Sequence, residues 1–317
     1  MRRATPMRAG VVRWEGALGG HAMNPRESEK GGTRAGVCSW SLQPTTPEAL
    51  VSSVKACGLN AVQLALDPIR EASGQGPWAL DRTQATLTDA GITILSGMIG
   101  TIGEDYSTLE SIRHTGGVRP DKHWQQNLHN ARASAAIASA LGVELVTLHA
   151  GFLPHDPQDP EFDVMLDRLA QVARAFAAAR ISIALETGQE SADTLTTVLD
   201  RLADGWREPV EPPGVNFDPA NMILYGMGDP VKSLRLLAPH VHQVHIKDAL
   251  PASVPGTWGA EVPVGAGSVD WPAFFALLRE HCPNASLIIE REAGTTRVED
   301  VRRAVALIHQ HALHSMP

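Results

Sequence analysis

Glu186, Asp218, His245 and Glu290 each follow a short strand-like run: Ile181–Leu185, Val215–Phe217, Val241–Val244 and Leu287–Ile289. Three carboxylates and one imidazole form a hard, oxygen-rich donor set. It suits Mn²⁺ or Mg²⁺ better than a structural Zn²⁺, which favours thiolates. Each gap is about one strand–helix repeat, the last somewhat longer. If the runs are strands of one barrel, the four groups converge at its carboxyl end. A divalent ion there would polarise a sugar carbonyl and its neighbouring hydroxyl, acidifying the C–H between them. Glu186 and Glu290 are then the candidate acid/base pair, one removing the proton and the other returning it, through an enediolate held by the metal. Any one of the four residues alone could instead cap a helix or pair with an arginine. Their recurrence at equivalent ends of the last four strands favours a shared ion.

Further polar residues fall near the same end. His149 closes the fourth run and faces inward by parity, either to bind substrate or as a hydrogen-bonded barrel histidine. Asn221 lies about one turn after Asp218 and could orient a sugar hydroxyl or serve as a cap. Lys247 shares a face with His245 and could hold an oxyanion, or pair with Asp248. Glu292 shares a face with Glu290, two residues further out, and could meet substrate, support the ligands, or pair with Arg291 or Arg297. Gln63, inside the second run, is a further candidate. His242 falls on the opposite face from His245 and should pack against helices. Gly265-Ala266-Gly267 reads as a simple turn rather than a phosphate cradle.

These residues need a scaffold, and the chain supplies a regular one. Strand-like runs occur at Gly36–Leu42, Ala61–Leu66, Ile92–Met98, Glu144–His149, Ile181–Glu186, Val215–Asp218, Val241–Lys247 and Leu287–Arg291. Helix-like segments lie between them at Pro47–Cys57, Leu80–Ala90, His123–Leu141, Glu161–Ala179, Ala192–Leu202, Pro230–Leu237 and Trp271–His281, and an eighth follows at Val298–His311. Eight strand–helix pairs give the length and rhythm of a single-domain (β/α)₈ TIM barrel over residues 35–317. Strand parity agrees. Ile181, Ile183 and Leu185 form one face, and Ser182, Ala184 and Glu186 the other. Apolar faces can then meet the helices while ligand candidates point into the barrel. A doubly wound open sheet uses the same alternation and is the alternative. Residues 1–34 are rich in arginine and glycine, lack periodicity, and read as a disordered N-terminal extension, with Met23 as an alternative start.

Composition bounds the function. The chain has 317 residues, of which 43% are hydrophobic and 20% charged, as in an ordinary core-forming protein. A net charge of −8 disfavours a nucleic-acid partner, which usually needs a basic patch. Three scattered cysteines, Cys38, Cys57 and Cys282, fit a reducing, cytoplasmic setting better than a disulfide framework. No long apolar stretch indicates a membrane span. The expected partner is a small-molecule carbohydrate, and a homo-oligomer is compatible with the sequence.

Four phrases then carry a resemblance. Ala184-Leu185-Glu186-Thr187-Gly188-Gln189-Glu190, Asn216-Phe217-Asp218-Pro219-Ala220-Asn221-Met222, His245-Ile246-Lys247-Asp248 and Ile289-Glu290-Arg291-Glu292-Ala293-Gly294 resemble the sugar phosphate isomerase/epimerase group of the xylose-isomerase-like barrel superfamily. Gly103-Glu104-Asp105-Tyr106-Ser107-Thr108-Leu109 and Pro255-Gly256-Thr257-Trp258-Gly259 look like its members too. The resemblance implies a divalent metal, Mn²⁺ or Mg²⁺, held by Glu186, Asp218, His245 and Glu290, with the two glutamates as acid and base. The ketose 3-epimerases of that superfamily carry a histidine where this chain has Asn221, and an arginine where it has Pro251. The expected activity is isomerisation or epimerisation of a sugar or cyclitol. A keto-sugar or inosose lyase or dehydratase would use the same site. An apurinic-site endonuclease and a non-catalytic sugar-binding barrel are the remaining alternatives.

Overall fold

The computed structural model describes residues 34–312; the expected disordered extension over 1–34 lies, apart from Arg34, outside the described residues. Arg34 is already tied to the fold, since its carbonyl accepts the Leu287 N–H at 2.9 Å.

Eight parallel strands close into a barrel. They are β1 (Ala35–Cys38), β2 (Ala61–Ala65), β3 (Thr93–Met98), β4 (Leu145–Leu148), β5 (Ser182–Glu186), β6 (Gly214–Phe217), β7 (Val241–Ile246) and, after the hairpin β8 (Asp248–Leu250) and β9 (Ala260–Val262), β10 (Ser286–Ile289). Neighbours run in the order β1-β10-β7-β6-β5-β4-β3-β2. Closure excludes the open-sheet alternative. A closed barrel has no edge strand, so every strand finds a partner on both sides.

The two faces of each strand have opposite chemistry. Val146, Leu148, Ile183, Leu185, Val215, Phe217, Val244 and Ile246 are buried in one continuous apolar core with the surrounding helices. The interior-facing set is polar: Gln63, Ser96, Thr147, Asn216, Gln243 and His245 are all fully buried. Register places these residues side by side, with Gln63 opposite Ser96, Asn216 opposite Gln243, and Glu186 opposite Asn216. Buried polar groups need partners, and this layer supplies its own. Ser96 Oγ donates to Gln243 Oε1 (2.6 Å), Gln243 Nε2 to Asn216 Oδ1 (3.1 Å), and Gln63 Nε2 to Thr147 Oγ1 (2.7 Å).

The helices have local reasons to start where they do. Thr46, Asp159, Ser191, Asp218, Asp229 and Asp270 cap six of them through side-chain oxygens, and each cap precedes a helix whose first turn holds proline or a free N–H to satisfy. Gly91 and Gly142 turn the chain just past two helix ends with φ of 69° and 70°, a region that costs glycine nothing.

Several expected boundaries move. The run Gly36–Leu42 is a strand only to Cys38; Ser39–Leu42 is a 3₁₀ turn. Ser39 Oγ accepts the Ala65 N–H there, so a side chain replaces the next ladder bond and the backbone curls into the barrel mouth. Three short helices, Asp67–Ala72, Leu109–Thr115 and Pro219–Leu224, were not anticipated, nor was the β8–β9 hairpin. Each is too short to show a 3.6-residue apolar period. Asp218 lies one residue beyond β6 and Glu290 one beyond β10, where the strands hand over to the loops.

Candidate metal centre and active site

Glu186, Asp218, His245 and Glu290 come from the carboxyl ends of β5, β6, β7 and β10, and each offers a donor atom within 4.8 Å of the other three. All four are buried, at 4%, 0%, 0% and 3% exposure. His245 Nδ1 lies 3.5 Å from Glu186 Oε1, 3.5 Å from Asp218 Oδ2 and 3.4 Å from Glu290 Oε2.

Each side chain is aimed by a second contact. His245 Nε2 lies 2.8 Å from Gln63 Oε1, so that nitrogen carries the proton and Nδ1 is left with its lone pair toward the carboxylates. Asp218 caps the helix Pro219–Leu224. Its Oδ1 accepts the Asn221 N–H at 2.9 Å, leaving Oδ2 for the centre. Glu186 is gripped by two amides, Asn221 Nδ2 at 2.9 Å and Asn216 Nδ2 at 3.2 Å. Glu290 takes Trp40 Nε1 on one oxygen (2.8 Å) and Lys247 Nζ on the other (2.7 Å). After these contacts two atoms remain, Asp218 Oδ2 and His245 Nδ1, both shielded from water and without a hydrogen-bond partner. Such orphans are costly in a finished core. An oxygen and a nitrogen lone pair facing two more carboxylates are what a divalent cation requires, so the residues present fit one. Among the described residues the other such grouping joins Cys38 to His245 and Glu290. Cys38 Sγ sits at 3.8 Å from the Nε2 already committed to Gln63, and burial drives its thiol pKa far up, which keeps the sulfur protonated.

The electrostatics agree. Burial alone would lower the His245 pKa, but Glu186 and Glu290 outweigh it and hold it well above its ordinary value. The position therefore demands positive charge, whether a proton or a cation. Burial would raise the Glu290 carboxyl; Lys247 and His245 reverse this and hold it well below the carboxylate range. Glu186 is lowered against the same burial penalty, by His149 and His245. Burial pushes Asp218 up to about 6.

The other expected residues gather round this centre. His149 Nε2 is 3.8 Å from Glu186 Oε1, and its ring lines the cavity above the cluster. Lys247 does not pair with Asp248. It donates to Glu290 and Glu292 (2.6 Å) and reaches Asn221 Oδ1 at 3.4 Å. Asp248 is instead occupied by the backbone N–H groups of Ala249, Gly265, Gly267 and Val269 and by Trp271 Nε1. Gly265 and Gly267 thus anchor a loop, as a turn should. The Glu292 side chain meets Lys247 rather than Arg291 or Arg297. Arg291 is held by Glu261 and Asp300, and Arg297 reaches only backbone oxygens. Gln63 gains the most over its expected place, since it sets the tautomer of His245. Asn216 was overlooked, although it stands two residues before Asp218 and shares its parity. Trp40 gave no periodic signal, because it sits in the 3₁₀ turn.

Residues 51–311, more than half of the chain, match the family described as xylose isomerase-like TIM barrel. The chain belongs to that family. A search of curated proteins finds no match. Among solved structures, a xylose isomerase domain protein from Planctomyces limnophilus is 28% identical, covers 83% of this chain and 93% of its own, and superposes with a TM-score of 0.73. An L-ribulose 3-epimerase is 16% identical over 89% of this chain and 95% of its own, with a TM-score of 0.65. A xylose isomerase-like TIM barrel protein from Mycobacterium smegmatis in complex with magnesium is 14% identical over 91% and 98%, also with a TM-score of 0.65. The last two likenesses speak to the fold.

Proposed function

We propose that this protein is a divalent-metal-dependent isomerase or epimerase of a sugar or cyclitol. The observation that carries the reading is the pair of orphaned buried atoms, Asp218 Oδ2 and His245 Nδ1, grouped with donor oxygens of Glu186 and Glu290. Glu186, Asp218, His245 and Glu290 would hold the ion, with magnesium and manganese best matched to three carboxylates and one imidazole. Bound there, it would polarise a carbonyl and the adjacent hydroxyl of the substrate.

The chain's own groups supply the rest. Glu186 and Glu290 approach the centre from different strands and stay ionised through neighbouring positive charge, so either can accept a proton from a C–H placed between them. If the opposite glutamate has first taken a proton from solvent, its delivery to the other face inverts that carbon. If the same glutamate returns its proton to the adjacent carbon, while the hydroxyl proton passes to the former carbonyl oxygen, the carbonyl moves. Lys247 is fixed as a cation, its charge favoured by Glu290 and Glu292 over the cost of burial. It acts as an electrostatic support rather than a base. His149 lines the cavity beside Glu186 and can hold a sugar hydroxyl. Asn221 keeps the Glu186 carboxylate in place with its amide N–H. The family membership and the epimerase fold-likeness are consistent with this chemistry.

The test is proton exchange. Metal-loaded protein with a panel of ketoses, keto-glycosides and inososes in D₂O should place deuterium on carbon without loss of water or aglycone. Glu186→Gln and Glu290→Gln should each cut the exchange rate by about 10²–10⁴-fold, the range for losing a general acid or base. An unsaturated product would make the enzyme a lyase instead, and exchange at wild-type rates in either variant would remove the acid/base pair.

A further inference from the structure

The cavity over the cluster has a volume of about 470 Å³, within the roughly 300–1,000 Å³ of pockets that hold drug-sized ligands and more than one hexose ring fills. Its lining mixes two chemistries. Glu186, His149, Asn221 and Glu292 are polar; Trp40, Tyr106, Tyr225 and Trp258 are aromatic, and Leu224 stands with the last two.

Tyr225 and Trp258 form a wall that the fold builds from two elements. The helix Pro219–Leu224 ends at Tyr225, and the β8–β9 hairpin folds back on it. Gly259 makes the approach feasible, since a Cβ there would lie 2.5 Å from the Leu250 carbonyl oxygen and 3.2 Å from Leu224 Cα. The residue before it, Trp258, is thereby set edge-to-face against Tyr225, with ring centroids 4.9 Å apart. Glu261 clamps the returning strand by accepting from Arg291 Nη1 and from the N–H groups of Glu292 and Ala293. The hairpin is thus tied to the segment that carries Glu290. Tyr106 is 43% exposed and stands where the cavity meets solvent.

Charge narrows the occupant. The lining contains the carboxylates of Asp67, Glu104, Glu186 and Glu292 and no lysine or arginine. Lys247, beneath the lining, already serves three acceptors with its three N–H groups. Away from the proposed ion and from His149, which faces Glu186, a phosphate or carboxylate group would meet like charge with no lysine or arginine to hold it.

We propose that the Tyr225–Trp258 wall is a subsite for a second ring, so that the substrate is an uncharged disaccharide whose first ring keeps its carbonyl, or a keto-glycoside, rather than a free monosaccharide or a sugar phosphate. Its first ring meets the glutamates; the second lays its C–H face on the aromatic wall. This rests on the sugar-isomerase reading and adds the substrate class to it.

Calorimetric titration of the metal-loaded protein tests it. The probes are methyl, phenyl and glucosyl glycosides of glucose, galactose and allose in both anomeric forms, with the free hexoses and their 6-phosphates. At least one phenyl or glucosyl glycoside should bind about tenfold or more tightly than its free hexose, and the phosphates more weakly, an advantage within reach of one aromatic contact. Trp258→Ala should reduce that ratio to about threefold or less, and Trp258→Phe, which keeps an aromatic ring, should retain part of it. Equal affinities across the panel, tighter phosphates, or a ratio unchanged in Trp258→Ala would overturn the subsite. Exchange in D₂O separates this from the parent reading. The simple glycosides have no carbonyl and serve only as binding probes, so exchange is read on the free sugars and on keto-glycosides. A glycoside preference without exchange there keeps the subsite and removes the isomerase; exchange without a preference does the reverse.

Discussion

At the scale of single residues, the centre is defined by which atom of each side chain is left free. Gln63 holds the Nε2–H of His245, and Asn221 takes one oxygen of Asp218 through its backbone N–H. The unused Nδ1 and Oδ2 then face the two glutamates. Gln63→Leu keeps the volume and removes the acceptor, so the imidazole loses its fixed tautomer. Manganese affinity, read by titration calorimetry, should fall about 10–100-fold, as expected when a group orienting a metal-ligating histidine is lost, with the fold intact by circular dichroism. An unchanged affinity would mean that the tautomer does not depend on Gln63. The types and strand ends of the four central residues were legible in the sequence because one carboxylate or imidazole at the end of each apolar run stands out against strand parity. Their supporting contacts were less so. Asn216 and Gln243 share the inward parity but look like ordinary strand residues, and Trp40 depends on a 3₁₀ turn that no periodicity announces.

At the scale of elements, strands set the centre and loops set the cavity. The eight strands were readable because alternation of period two, interrupted by longer helical segments, is a strong signal. The β8–β9 hairpin was not, since two three-residue strands carry no pattern; its placement comes from side-chain anchors. Asp248 is the largest of these. It is buried at 1% exposure and accepts from four backbone N–H groups and one indole, gathering residues 249–271 around a single carboxylate. Asp248→Ala would leave those donors unpaired. Urea denaturation should show a loss of more than about 3 kcal/mol, since hydrogen bonds to a charged group are worth roughly 1.5–3 kcal/mol each and are not fully replaced by water in a buried loop. A loss below about 1 kcal/mol would mean that the loop holds its shape without the anchor. The parity argument also placed Lys247 inward, and with it the positive charge that keeps Glu290 ionised.

At the scale of the whole molecule, no described helix is long and apolar enough to cross a membrane, and all three cysteines are free and buried. Stability should carry a pH signature of its own. Glu190 follows the β5 loop and is buried at 3% exposure, and burial pushes its pKa up to about 8 from 4.5, against one backbone N–H contact. Between those two values the folded protein holds a proton that the unfolded chain has released. Stability therefore falls as pH rises from 4.5 through about 8, and is level above it. Glu190→Gln removes this slope. The variant should be the more stable protein at pH 8, by an amount that shrinks toward zero near pH 4.5, and unfolding midpoints that track in parallel across this window would contradict it. The account as a whole stands on a shared ion, and a manganese-soaked crystal tests that most directly. The anomalous difference map should hold one strong peak within about 2.0–2.3 Å of His245 Nδ1 and of oxygens from Glu186, Asp218 and Glu290, typical ligand distances for such a cation. No peak there, or a peak on the Nε2 side of His245 beside Cys38, would contradict it.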